Sequence, residues 1–264
     1  MDTYTHGHAE PVLQSHRRRT AENSAAYLLP HLHPGTDLLD VGCGPGTITI
    51  DLAARVAPGR VIGIDASAHP LDEARSAARR AGVEVTFAVG DVYALDQSDD
   101  SFDVVHAHQV LQHLTDPVAA LREMARVCRP GGVVAVRDAD YATFTWFPAN
   151  PGLDRWLDLY SALARANGAE PDAGRRLRAW AHAAGLRNVT ATASAWCYAA
   201  AEERTWWGDS WAGRVTASSF AEQAVGYGLA TPDVLAELAD AWRTWRDAAD
   251  GWFGMLHGEL LIRV

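Results

Sequence analysis

From residue 37 to 137 the chain alternates short apolar runs with longer amphipathic ones. Residues 37–41, 61–65, 84–89, 102–107 and 133–137 read as strands, several of them apolar on both faces. Residues 47–56, 70–81 and 117–127 have helical character between them. Strands spaced by helices of this length predict βαβ units and a parallel sheet covered on both faces. After Asp138 the rhythm breaks. Residues 140–151 are aromatic and hold two prolines, which predicts a loop; 152–167 and 172–184 read as helices, and 185–192 as a strand. Residues 199–250 are helical again, with a break at 226–232 where Thr231-Pro-Asp starts a helix, and 252–264 close as a last strand. The helical stretch before that strand is too long for a connection and is expected to form a cap.

Composition narrows the function. The 264 residues are 48% hydrophobic and 21% charged, enough for a sizeable core. Net charge is −10, and all 23 basic residues are arginine, so broad binding to a nucleic-acid backbone is not expected. No apolar window has the length of a membrane span, and the first residues lack the basic flank and apolar run of a signal peptide. Cys43, Cys128 and Cys197 are too few and scattered for a disulfide framework or zinc site, so a cytoplasmic protein is expected. All ten tryptophans lie at or beyond Trp146, which predicts an apolar or aromatic surface in the second half.

The sharpest motif is Leu38-Leu-Asp-Val-Gly-Cys-Gly-Pro-Gly-Thr47, a strand running into glycines with a helix behind them. Glycine lets the backbone turn tightly and approach a ligand, and the helix start offers unpaired N–H groups. The spacing Gly42-x-Gly44-x-Gly46 differs from the G-x-G-x-x-G of a dinucleotide site. Asp65 ends the second strand, where an acid can accept hydrogen bonds from both hydroxyls of a ribose or can cap the next helix.

With Asp40 before Val41-Gly42-Cys43-Gly44, the sequence resembles class I S-adenosylmethionine-dependent methyltransferases. The later motifs follow in order: Gly90-Asp91-Val92, Phe102-Asp-Val-Val-His-Ala-His-Gln-Val-Leu-Gln-His-Leu114 and Arg129-Pro-Gly-Gly132. The likeness covers residues 35–140, and the N-terminal segment is similar to the ubiquinone/menaquinone-type branch of small-molecule methyltransferases. It implies an α/β fold with a Rossmann-like, seven-stranded, mostly parallel sheet, helices on both faces and the cap before the last strand. The implied organisation is an N-terminal helical lid (1–30), a cofactor-binding core (31–140), the rest of the core with a helical insertion (141–198), the cap (199–250) and the final strand (251–264). The cofactor implied is S-adenosyl-L-methionine. Gly42, Cys43, Gly44, Gly46, Asp65 and Ala66 would bind it, with Asp91 and Val92 at the adenine and Ala107 and His108 beside the methionine part. By the same analogy Tyr4 and Arg19 sit near the methionine carboxylate, although three adjacent arginines also suit a solvated helix face. The absence of a [D/N]-P-P-[F/Y] motif after the fourth strand agrees with an acceptor other than nucleic acid. His6, His8 and His16 have no standard metal spacing, and no metal is expected.

Methyl transfer is an in-line displacement governed by positioning and desolvation, with a base needed only when the nucleophile must lose a proton. His108, His113 and Asp138 are the catalytic candidates; Asp140, close by, could also orient a hydroxyl. The small-molecule acceptor is expected beneath the cap, against Tyr141, Trp146, Trp206 and Trp207, with other tryptophans serving as core. Adjacent Trp206 and Trp207 cannot both face one core from a helix. That points to an apolar, aromatic, polyketide- or terpenoid-like acceptor methylated on oxygen or carbon. A nicotinamide dehydrogenase of similar fold and a cofactor-binding module without activity are the alternatives. Oligomeric state is not legible.

Overall fold

The computed structural model describes residues 2–7 and 10–264. Two helices, α1 (Glu10–Arg17) and α2 (Ala21–Ser24), precede the sheet. The alternating region then gives β1 (Leu38–Val41), α3 (Thr47–Val56), β2 (Val61–Asp65), α4 (Leu71–Ala81), β3 (Thr86–Val89), β4 (Phe102–His108), α5 (Pro117–Val127) and β5 (Cys128–Ala139). The second half adds β6 (Thr145–Phe147), α6 (Pro151–Ala166), α7 (Leu177–Ala183), β7 (Val189–Tyr198), α8 (Ala201–Ala217), α9 (Ser219–Gly226), α10 (Pro232–Asp247) and β8 (Trp252–Arg263). Local chemistry sets several of these boundaries. The Asp116 carboxylate accepts from the Ala119 N–H to cap α5, and the Thr231 hydroxyl accepts from the Val234 N–H to cap α10. Proline at the first turn of both helices costs no hydrogen bond.

The strands form one sheet in the order β3-β2-β1-β4-β5-β8, and β7 pairs with the other edge of β8. β1 to β5 are parallel, whereas β8 runs antiparallel to β5 and β7. The sheet therefore is mostly parallel, as expected, but among the described residues it holds eight strands rather than seven. The extra one is β6, in the stretch read as a loop. Thr145, Trp146 and Phe147 pair with Gly254, Phe253 and Trp252, prolonging the β5 side of β8. Their β-branched and aromatic side chains suit a strand, and Pro148 ends it. β7 starts later and runs further than expected, because it follows β8 through ten paired residues.

Apolar clusters fill both faces. On one face α5 and α7 cover Leu39, Val105 and Val134; on the other α2 and α3 cover Leu38, Val104 and Val133. A separate cluster joins α6, α8, α9 and α10 around Trp156, Trp211, Trp242 and Phe253. The cap expected over 199–250 is thus joined by α6 from an earlier stretch of chain. Strand order reverses between β1 and β4, so the loops after them diverge and open a crevice at their C-terminal ends. No helix among the described residues is long and apolar enough to cross a membrane.

Candidate active site

The crevice continues under the helical layer as a cavity of about 890 Å³. Its floor is built from the loops after β1 to β5, its roof from α8 and the N-terminal segment. Gly42, Cys43, Gly44, Asp65, Ala66, Asp91 and Val92 all line it, as do Tyr4, Arg19, His108, His113, Tyr141, Trp206 and Trp207. Gly46, Ala107, Asp138 and Trp146 do not.

At the glycine loop, Gly44 has φ +53 and donates its N–H to Asp65 Oδ2 at 2.9 Å. The Ser67 N–H donates to Asp65 Oδ1 at 2.9 Å, so backbone groups aim this carboxylate along the cavity. Gly46 serves packing instead. Its φ is +79, and a Cβ there would lie 2.9 Å from Ala74 and from the Phe87 ring. Asp40 is buried, with one carboxylate oxygen 2.7 Å from His106 Nδ1 and the other accepting from the Thr49 hydroxyl. It fastens β1 to β4 and α3 beneath the loop. Burial raises the Cys43 thiol well above its ordinary value, so it acts as a wall and not as a nucleophile. Asp91 is exposed and accepts from the Tyr93 N–H at 2.9 Å. The Tyr93 hydroxyl in turn donates to Asp2 at 2.7 Å, which draws the N-terminal segment across this end.

Arg19 donates to Gln109 Oε1 at 2.6 Å, while its Nε is buried without a partner. Burial lowers its pKa to about 10, still cationic at neutral pH. His108 is buried with both ring nitrogens unpartnered. Burial first, then Arg19 and Arg137, hold its pKa well below the ordinary value, so the ring is neutral. His113 differs. The Ala139 N–H donates to Gln112 Oε1 at 3.0 Å, which turns the Gln112 NH₂ toward His113 Nε2, also at 3.0 Å. That nitrogen accepts, the ring proton sits on Nδ1, and burial lowers the pKa to about 3. His113 is therefore a positioned wall ring, edge-on to Tyr4 at 4.8 Å, and a poor base.

Asp138 is corrected from its catalytic assignment. It is fully buried off the cavity, and its carboxylate accepts from the Gln112 N–H at 3.0 Å, holding the turn that carries His113. Asp140 forms an ion pair with Arg175 at 2.5 Å and also lies off the wall. Burial pushes the Asp138 pKa up to about 7. A folded-state pKa above the unfolded one favours folding at low pH, and this advantage fades as pH rises through 7. Relative to wild type, Asp138→Asn is expected to gain stability from pH 5 to pH 8, by at most about 1.4 kcal/mol per pH unit. Urea unfolding of both proteins at the two pH values checks this; parallel curves would reject it.

Trp146 is likewise corrected: it stacks on Phe253 at 5.9 Å as part of the core. Trp206 and Trp207 both reach the cavity, the first half-buried under the Arg18 guanidinium at 4.6 Å, the second buried. The sequence assigned no site role to His6 or Arg214, yet both line the wall. His6 Nε2 lies 3.1 Å from the Tyr160 hydroxyl, and burial keeps the ring neutral. His16 lines the cavity too, while His8 lies outside the described residues. Among the described residues, no group of three or more His, Cys, Asp or Glu is placed to hold a metal.

A family model described as a methyltransferase domain matches residues 32–202. An uncharacterised methyltransferase of Schizosaccharomyces pombe is 35% identical over 98% of this chain and 96% of that one. The chain belongs to the methyltransferase family. It is a class I S-adenosylmethionine-dependent methyltransferase, which sets aside the dehydrogenase alternative. This methyltransferase is also similar to a ubiquinone/menaquinone biosynthesis C-methyltransferase of Bdellovibrio bacteriovorus, 41% identical over 39% of this chain and 43% of that one. The YcgJ protein of Bacillus subtilis shares the methyltransferase's fold, with a TM-score of 0.61 at 20% identity over 92% of this chain and 98% of that one.

Proposed function

We propose that this methyltransferase methylates oxygen or carbon of an aromatic or otherwise apolar small molecule held beneath the helical layer. One observation carries the reading: a single cavity has the glycine loop with Asp65 and Asp91 at one end and Tyr141, Trp196, Trp206, Trp207 and Trp211 in its other walls. A volume of about 890 Å³ is at the upper end for ligand sites, in keeping with two ligands side by side.

The residues fit the cofactor. Asp65, held by two backbone N–H groups, would accept from the ribose hydroxyls, and Asp91 with Val92 would take the adenine. Gly42, Cys43, Gly44 and Ala66 supply close-approaching backbone, and Tyr4 with the unpartnered Nε of Arg19 suits the methionine end. When bound, S-adenosylmethionine supplies an electrophilic methyl on a sulfonium. The chain's own work is to orient the acceptor between aromatic faces, to exclude water, and to take a proton where the acceptor is a hydroxyl. His108 is the group placed for the last task, because its ring nitrogens are free on the wall; burial leaves it, like His113, a weak base, so it suits an acceptor whose hydroxyl is already acidic.

A panel of acceptors incubated with methyl-labelled cofactor tests the reading. Label is expected on aromatic phenols or polyketide-type carbon acids. A protein that labelled only small charged amines would sink it.

A further inference from the structure

The aromatic end of the cavity contains a cation that forms no ion pair among the described residues. Arg214 lies on α8, one turn beyond Trp211 and two beyond Trp207, so the three share a helix face that lines the cavity. Its guanidinium lies over the Trp211 ring at 4.9 Å and near that of Trp207 at 5.9 Å. The residue is only 4% exposed, and Nε and Nη2 have no hydrogen-bond partner. No carboxylate among the described residues forms an ion pair with it. The other deeply buried arginine, Arg137, is treated differently: Glu259 sits 3.3 Å away and Ser194 fills a further donor. A buried charge without a counter-ion is expensive, and the faces of two rings return only part of that cost. Burial lowers the Arg214 pKa, yet a guanidinium stays charged in proteins.

The neighbouring side chains supply no balancing charge. His6 Nε2 lies 3.1 Å from the Tyr160 hydroxyl, and its Nδ1 is a further buried polar atom without a partner. Tyr141, whose hydroxyl lies 3.5 Å from His6 Nε2, completes a patch of a cation, a neutral ring and hydroxyls with no acid in it. Arg19 answers to a different place, beside Gln109 after β4.

We propose that the acceptor is an aromatic acid, and that Arg214 binds its carboxylate or comparably acidic oxygen while Trp207 and Trp211 flank its ring. This rests on the aromatic-acceptor reading above and narrows it. Arg214 then determines specificity: a neutral analogue leaves its donors unpaired in the dry wall, which discriminates more sharply than apolar fit alone.

Calorimetric titration of the whole protein, saturated with S-adenosylhomocysteine, tests this with 2-naphthoate and its neutral twin 2-naphthamide. Wild type is expected to bind naphthoate about 10-fold or more tighter than the amide. Arg214→Met should erase that preference by weakening naphthoate alone, and Arg214→Lys should retain part of it. In every variant S-adenosylhomocysteine affinity should stay within about threefold of wild type, a shift under ~1 kcal/mol, which also shows that the variants fold. Equal affinity of wild type for acid and amide would overturn the proposal and leave the aromatic pocket standing. Loss of S-adenosylhomocysteine binding in a folded Arg214→Met would overturn it by assigning the arginine to the cofactor. If neither probe bound a protein that still bound S-adenosylhomocysteine, the aromatic-acceptor reading would fall, and this proposal with it.

Discussion

Replacing Asp65 by alanine is expected to weaken S-adenosylhomocysteine binding about 100-fold or more, since two charge-assisted hydrogen bonds to ribose would be lost. The carboxylate also organises the loop. It accepts from the N–H groups of Gly44 and Ser67, both at 2.9 Å, and without it these donors lose their partner where the cofactor must lie. Asp65→Asn should fall between the two, because an amide keeps one acceptor oxygen and loses the charge. Calorimetry on the three proteins reads the effect directly. An alanine variant within about threefold of wild type would remove Asp65 from the cofactor site.

The second large effect concerns the aromatic layer. Trp242 is fully buried at the centre of the helical cluster. It lies edge-on to Trp156 at 4.8 Å, stacks on Trp211 at 5.7 Å, and meets Phe253 at 5.5 Å and Trp245 at 5.8 Å. Trp242→Ala is expected to cost about 3–5 kcal/mol through lost burial and the cavity left behind. In a chain of this size that lowers Tm by roughly 10 °C. Its indole Nε1 has no hydrogen-bond partner, so Trp242→Phe removes an unsatisfied donor as well as volume and should cost less than about 1.5 kcal/mol. Trp252, 40% exposed, is the comparison: its alanine variant should change stability far less. A loss below about 1 kcal/mol for Trp242→Ala would mean that the cluster is not one packed unit. Because Trp207 and Trp211 belong to both the cluster and the cavity wall, the alanine variant should also bind acceptor analogues more weakly.

These two residues differ in how far they could be read in advance. Asp65 follows from contiguous chemistry, since a strand, its end and the next turn are one local unit. The rings of the second half carry no such unit. Trp146 was expected at the acceptor, but β6 pairs with β8 and lays that ring on Phe253. Trp206 and Trp207, adjacent on α8, both line the cavity, and the fold alone shows that the first is half-buried and the second buried. Asp138 looked catalytic from its place at the end of β5, and only its hydrogen bond to the Gln112 backbone shows that it supports the wall from behind.

The sequence by itself determined the alternating core, the glycine loop and the family, because each depends on neighbours within a few residues or on the period of burial. It also placed a helical layer before the last strand, from length alone. What only the tertiary structure decided is which side chains meet across long separations. His6 and Arg214 stand some two hundred positions apart and line the same wall. An arginine in the middle of a tryptophan-rich helix reads as a solvated residue, since its ordinary preference is for water. Packing alone removed the water, and with it any charge in the described chain to balance the guanidinium.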